Sequence, residues 1–532
     1  MWMSPFLVLF HDARKVFKWD DLGGEILSIA FPAALALAAD PVASLIDTAF
    51  IGHLGSVEIA AVGVAVSIIN QANKVTIFPL VNITTSFVAE ENSEISSKCD
   101  DGSKEVVSAK VYSEEKVAEE EPAKDSELEM MENGSFTSSE TKGSSALSDL
   151  EAKESETVSN SSEIDSKVKR GKLRIPSAST ALMMGCILGI LQTVFLTVLA
   201  KPLLGLMGVK AGSTMLNPAL RYLTLRSLGS PAVLLSLAIQ GIFRGLKDTK
   251  TPLYATAAGD LVNIILDAIF ILACHWGVSG AAIAHVISQY ILLLILLFKL
   301  ITEVELLPPS SKHLQLSKFL KNGLWLFGRV IAATFCVTLA ASLAARLGST
   351  VMAAFQVCLQ IWLTSSLLAD GLAIAGQAIL ASAFAVKDYK KAKAVAARVL
   401  QMGFVMGHGL AVVVGLGLYL GSGVFSKDKN VIRLITIGVP FVAGTQPINS
   451  VAFVLDGVNF GASDFLYSAY SMVLVAAMTI GVEFLLLKSN GFVGIWIALA
   501  IFMLLRSIAG LWRLATGTGP WCFLRASTQP MI

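Results

Sequence analysis

Apolar residues in this chain form runs of 24 residues or more that follow one another almost from end to end, separated by short polar turns. A helix of about 20 residues crosses the roughly 30 Å hydrocarbon core of a bilayer. In lipid, the backbone satisfies its own polar groups only in helices or closed barrels. Twelve such runs are read, at residues 23–51, 57–89, 177–207, 216–244, 252–276, 279–302, 319–345, 350–381, 393–423, 431–457, 464–488 and 491–514. The pattern predicts an all-α integral membrane protein of twelve transmembrane helices. One segment interrupts it: residues 91–174 are rich in Ser, Glu and Lys and almost free of aromatics. Too little apolar area is available there to offset chain entropy, so disorder is expected.

The pattern also occurs twice. His53-Leu54-Gly55-Ser56 returns as Arg346-Leu347-Gly348-Ser349, an offset of 293, and Gly277-Val278-Ser279-Gly280 returns as Gly491-Phe492-Val493-Gly494, an offset of 214. The two offsets differ by 79, about the length of the polar insert. Without the insert the chain is two similar halves of six spans, and an even number makes them parallel repeats about an axis along the membrane normal. The expected organisation is a cytosolic segment 1–22, a first lobe 23–302 interrupted by the insert 91–174, a linker 303–318, a second lobe 319–514 and a cytosolic tail 515–532. A substrate site is expected between the two pseudo-symmetric six-helix lobes.

Composition agrees with this. The chain is 54% hydrophobic and 15% charged over 532 residues, with a mean hydropathy of +0.67, more apolar surface than a water-soluble protein hides. A net charge of +1 gives no sign of a nucleic-acid partner. The distribution of charge is more telling. Arg14, Lys15 and Lys18, then Lys167, Lys169, Arg170, Lys172 and Arg174, then Arg244, Lys247 and Lys250, then Lys387, Lys390, Lys391 and Lys393 all fall on one side of a twelve-span chain. The positive-inside rule puts that side, both termini and the insert in the cytosol. No cleavable signal precedes the first span, no transit peptide is visible, and the plasma membrane is the expected location. The six cysteines show no CxxC pairing and read as small hydrophobes. Sequons at Asn133 and Asn160 fall in the insert, on the side glycosylation does not reach. The insert reads as a tolerated insertion, with phosphorylation of its serines as the alternative.

Ionisable residues inside the spans each need a reason, because each costs on the order of 2.5–3.5 kcal/mol at mid-membrane. Asp40, Ser44 and Asp47 share one face of the first span, and Pro41 invites a bend beside Asp40. Asp260, Asn263 and Asp267 share one face of the fifth. Two such stripes in one lobe predict a carboxylate cluster that binds a proton, the alternative being structural ion pairs with Arg226 or Lys74. Lys74 in the second span and Arg329 in the seventh, with Asn70, Gln71, Gln356, Gln360, Ser366 and Gln446, suit a polycarboxylate ligand. Arg226 reads better as a partner for a neighbouring acid. Asp370 reads equally as a second-lobe substrate or proton residue and as a structural pair. Pro231 and Pro440 mark expected bending points. No metal site, cofactor or nucleotide-binding loop is read, so a monomeric, ion-driven carrier is expected rather than an ATP-driven one.

Several of these residues together resemble the multidrug and toxic compound extrusion (MATE) family. They are Pro32, Ile46-Asp47-Thr48, Gly52-His53-Leu54-Gly55, Arg226-Ser-Leu-Gly-Ser-Pro231, Gln240-Gly-Ile-Phe-Arg244-Gly-Leu-Lys-Asp248-Thr249 and Asn263-Ile-Ile-Leu-Asp267. The long loop after the second span, and Ile361-Trp362-Leu-Thr-Ser365-Ser366-Leu-Leu-Ala-Asp370-Gly371, resemble the plant citrate-transporting branch, of the iron-translocation and aluminium-tolerance type. The resemblance implies two lobes in a V, alternating access, and coupling to H⁺ or Na⁺ at the positions of Asp47, Asn263 and Asp267. Arg329 stands where the drug-exporting branch has a glutamate, which favours an anion. Citrate or a related carboxylate, moved out of the cytosol as protons enter, is the expected function. The nearest rival is a proton-coupled exporter of organic cations or secondary metabolites. An intramembrane aspartyl protease is disfavoured by the absent GxGD-type motif, and a lipid-linked oligosaccharide flippase of related architecture is a remoter alternative.

Overall fold

The computed structural model describes residues 20–117, 173–306, 315–425 and 428–526, apart from single positions between 53 and 55 and between 208 and 211. In chain order the elements are α1 (Asp21–Gly52), α2 (Ser56–Val117), β1 (Leu173–Arg174), α3 (Pro176–Val198), α4 (Ala200–Leu206), α5 (Leu216–Ser227), α6 (Ser230–Gly245), α7 (Lys250–Asp267), a π-helical turn (Ala268–Ala273), α8 (Gly277–Glu303), β2 (Val304–Glu305), α9 (Leu316–Arg346), α10 (Ser349–Ala385), α11 (Tyr389–Phe425), α12 (Lys429–Gly444), α13 (Gln446–Gly461), α14 (Phe465–Thr516), a 3₁₀ turn (Gly519–Trp521) and α15 (Phe523–Ala526). Among the described residues nine helices are long and apolar enough to cross a membrane, and two bent pairs, α5–α6 and α12–α13, add to them. At 52 residues α14 is about 78 Å long if straight, but Gly491 has non-helical angles (φ 53, ψ −124) and divides it. With each bent pair taken as one span, up to eleven spans are found among the described residues.

The duplication is visible in the packing. α1 crosses α10, while α2 crosses α9 and α10. Displaced by one lobe, the first crossing becomes α9 on α2, as a two-fold axis between the lobes requires. Within the lobes α6 packs on α2 and α3, and α13 packs on α10 and α11. The bends match as well: α5–α6 turns by 45° and α12–α13 by 47°. Pro231 and Pro447 each lie in the first turn of the second helix of their pair, where a missing N–H costs nothing. Close approaches occur at equivalent glycines. A Cβ on Gly245 would lie 2.8 Å from the Thr85 carbonyl, and one on Gly461 2.8 Å from the Gln377 carbonyl.

Three expectations are corrected. Pro440 lies inside α12, and the bend falls instead at Thr445, just before Pro447. The second span does not stop at residue 89, because α2 continues helical to Val117. Glu91, placed in the disordered segment, is ordered: its carboxylate accepts from Ser177 N (3.0 Å) and Ser177 Oγ (2.6 Å) at the start of α3, and from Gln315 Nε2 (2.6 Å). Residues 118–172 of the predicted disordered segment, with both sequons, lie outside the described residues. β1 and β2 pair in parallel, Leu173 with Val304 and Arg174 with Glu305, and tie the end of the insert to the inter-lobe linker.

Gly245→Val and Gly461→Val should each cost about 1–3 kcal/mol by overpacking. Gly63, with nothing within 4 Å of its Cβ direction, should accept Val without loss. Thermal unfolding of the purified protein in detergent compares the three; equal midpoints would contradict the packing described.

Candidate functional site

One amide holds the first lobe's site together. α1 contributes Asp47, α7 contributes Asn263 and Asp267 one turn apart, and α8 contributes Ser288. Asn263 Nδ2 donates to Asp47 Oδ1 (2.8 Å) and to Asp267 Oδ2 (2.8 Å), while its Oδ1 accepts from Ser288 Oγ (2.9 Å). Asp267 is 1% exposed, and its second oxygen has no hydrogen-bond partner. Arg226, in the last turn of α5, donates to the Tyr222 hydroxyl and lies 5.5 Å from the centre of that ring. Its charge acts on both Asp47 and Asp267, which fits the role read for it. Directly after Asp267 the helix widens into the π turn, a form that recurs at functional sites. Two carboxylates are thus bridged by one amide, with one oxygen of Asp267 left without a hydrogen-bond partner. Asp260 is partly buried two turns away, and the side chain of Asp40 lies outside the described residues. α1 is helical through Pro41.

The residues proposed for a ligand divide into two groups. Asn70, Gln71 and Lys74 on α2 are exposed, as are Gln356 and Gln360 on α10. With Ser67 and Thr364 they form two polar stripes at helical spacing, and Ser67–Gln360 and Gln71–Thr364 are both offset by 293. Polar stripes turned towards lipid would be costly. α2 and α10 cross at the lobe interface, so the stripes lie on two helices that meet between the lobes.

The remaining candidates are not on those stripes. Arg329 is 3% exposed and ion-paired with Asp456 of α13, which also pairs with Arg506 of α14. Its guanidinium carbon lies 5.0 Å from the Phe460 ring centre and 5.8 Å from that of Phe78. This cation is neutralised and packed between aromatic rings, and so is not free for a ligand. Gln446 is fully buried, accepting from Ser365 Oγ (3.0 Å) and donating to the Val442 carbonyl (3.0 Å). Ser366 is buried and bonded to the Trp362 carbonyl (3.0 Å). Asp370 is partly buried and senses the charges of Arg506, Asp456, Arg244 and Arg329. Asp456 and Arg506 were not singled out in the sequence, although both are ionisable residues within predicted spans.

Residues 175–269 and 326–485 match the MatE family. Over 98% of this chain and 98% of its own length, Protein DETOXIFICATION 42 of Arabidopsis thaliana is 56% identical. The chain belongs to the MATE family. Protein DETOXIFICATION 43 of the same plant is 58% identical over 99% of this chain and 96% of its own. A crystal structure of MATE in the bent conformation superposes with a TM-score of 0.73, at 16% identity, over 98% of this chain and 99% of that one. The protein is a multi-pass membrane transporter and not an enzyme.

In this MATE protein the lobes are tied together at the insert-bearing end. Glu25 of α1 pairs with Lys247 of its own lobe (2.8 Å) and Lys391 of the other (3.0 Å), and Asp20 pairs with Arg398 (2.7 Å). The Gly23 backbone N–H and the Arg398 guanidinium hold Asp20 below the usual carboxylate range. Its stabilising contact is therefore present above the ordinary carboxyl pKa and lost only as pH falls through the lowered value. Glu90 joins Lys318 (3.7 Å) and Ser463, Gln377 donates to Asn82 O (2.7 Å) and Ser86 Oγ (2.9 Å), and Phe87 packs edge-on to Phe319 (5.0 Å). The polar stripes lie beyond Phe78, towards the other end from this latch.

Asp456→Asn should destabilise the protein by about 3–5 kcal/mol, because it leaves Arg329 and Arg506 buried without their shared counter-ion. Replacing all three by apolar residues should recover much of that loss in a thermal melt. No recovery in the triple variant would refute a neutralising role for Asp456.

Proposed function

We propose that this transporter carries citrate or a related polycarboxylate out of the cytosol, coupled to proton entry, by alternating access between the lobes. The observation that carries the reading is a pair of exposed polar stripes, Lys74 with Asn70 and Gln71 on α2 and Gln356, Gln360 and Thr364 on α10, taken as the two walls of a cleft between the lobes. A cation among amide and hydroxyl groups suits a carboxylate ligand. The excess of basic residues in the loops supports a cytosolic position for the latched end, both termini and the insert; on this reading the carrier sits in the plasma membrane with its cleft open outward. Protons reaching Asp47 and Asp267 from outside relieve the repulsion that the Asn263 amide and the charge of Arg226 otherwise offset, changing how α1 sits on α7. Because α1 also carries Glu25 and Asp20 of the latch, that change reaches the opposite end. Sodium at the same oxygens is the alternative coupling ion. The driving force is ample, since each charge crossing 100 mV is worth about 2.3 kcal/mol and a trivalent anion leaving an inside-negative cell gains roughly 7. The carrier is proposed to work as a monomer, with iron translocation or aluminium tolerance as its physiological setting.

One observation favours a second reading. Arg329 is neutralised by Asp456, so Lys74 bears the anion preference without it, and an exporter of organic cations becomes the competitor. Oocytes expressing the chain and injected with labelled citrate decide between them at external pH 5.5 and 7.5. Lys74→Ala should cut citrate efflux about tenfold or more, the worth of one charge-assisted contact, and Asp267→Asn should abolish acid stimulation. Tetraethylammonium efflux without citrate efflux would replace this reading with its rival.

A further inference from the structure

The second lobe contains a buried acid that has no part in the account so far. Glu483, on the first stretch of α14, is 0% exposed, and neither carboxyl oxygen has a hydrogen-bond partner. Its place in the duplication is pinned on both sides. Asp248 N–H bonds to Phe243 O as Asp464 N–H bonds to Asn459 O. Gly280 approaches the Phe270 carbonyl as Gly494 approaches the Leu486 carbonyl. Phe243 to Asn459 and Phe270 to Leu486 are both offset by 216, and at that offset Glu483 is the counterpart of Asp267 and Thr479 that of Asn263. Leu54 N–H bonds to Ile51 O as Leu347 N–H bonds to Ala344 O, which fixes the other offset and makes fully buried Ala340 the counterpart of Asp47.

The second lobe thus keeps one acid of the pair, on a longer side chain, with an alanine in place of the other. Thr479 lies one turn away on the same face. Its hydroxyl donates to the Val475 carbonyl (2.8 Å), which leaves its lone pairs able to accept. The helices packed on α14 are α9, α12 and α13. From α9 the titratable group facing Glu483 is Cys336. Arg329 of α9, Asp456 of α13 and Arg506 of α14 are engaged with one another, while Arg433 of α12 is exposed. None of these charges acts on Glu483. An isolated carboxyl among apolar side chains is matched by nothing except what binds to it.

We propose that Glu483 is a second proton-loading carboxyl, the second lobe's counterpart of Asp267. The O–H bond forms when the proton arrives from the outer solution and breaks when the lobe turns inward, with Thr479 accepting from the loaded acid. Only the transport arm of the test rests on the proton coupling proposed above; the labelling arm does not.

Full-length protein in liposomes is treated with dicyclohexylcarbodiimide, which adds to protonated carboxyls in apolar surroundings, and its peptides are weighed. An adduct on the Glu483 peptide is expected in the wild type and in Asp267→Asn, falling as pH rises and absent in Glu483→Gln. In efflux assays Glu483→Gln should make the dependence on external pH shallower by one proton while efflux itself persists. No adduct at Glu483 where Asp267 is labelled overturns the inference and leaves the first-lobe site standing. An adduct blocked by Na⁺ but indifferent to pH also overturns it, assigning the position to sodium. An unchanged pH slope in Glu483→Gln reduces Glu483 to a structural acid.

Discussion

A charge inside a bilayer must be matched locally, and the way each lobe matches its charges organises this molecule. In the first lobe a single amide, Asn263, stands between Asp47 and Asp267 and ties α1, α7 and α8 into one unit. The match is incomplete, because one oxygen of Asp267 has no partner, and the set is consequently sensitive to what else binds there. In the second lobe Asp456 is matched, shared by Arg329 and Arg506 with aromatic rings over the guanidinium of Arg329, while Glu483 is left without a partner. The first lobe thus leaves an acid pair open beside one amide, and the second combines a closed charge cluster with one isolated acid.

Geometry links this asymmetry to movement. α1 carries Asp47 near one end and the latch residues Asp20 and Glu25 near the other, and it crosses into the second lobe along α10. At that crossing a Cβ on Gly371 would lie 2.6 Å from Ala34 Cβ and 2.7 Å from the Ala30 carbonyl. Packing this tight does not deform gradually, so a change at Asp47 passes along the helix as a shift of the whole element. The latch contacts are half-exposed ion pairs of modest worth, about 1 kcal/mol or less each. They are strong enough together to favour one state and weak enough to be released.

Much of the architecture was legible in the sequence, because long apolar runs and matched landmarks survive duplication. Asp47, Asn263 and Asp267 were legible for a related reason: helical spacing put them on two facing stripes. The role of Arg329 was misread, because a sequence shows a charge without its partner, and Asp456 lies 127 residues further along the chain. Gln446 and Ser366 were polar groups at mid-span, but the backbone and side chains of their own lobe satisfy them. The bend at Pro447 rather than Pro440 follows from helix geometry. A proline in the first turn forfeits no bond, so it marks where a new helix starts. The reach of α2 to Val117 was hidden because composition there argued for disorder, while helical propagation from a long, packed span argued the other way.

The central claim is that cation loading at Asp47, Asn263 and Asp267 sets the separation of the lobes at the open end of the cleft. Spin labels at Ser67 and Gln360, equivalent exposed positions on α2 and α10, report that separation by double electron–electron resonance in nanodiscs. The account predicts a distance distribution that shifts between pH 5.5 and 7.5 in the otherwise unmodified chain and is locked in one state by Asp267→Asn. A distribution that shifts equally in the Asp267→Asn variant, or that never shifts, would contradict it.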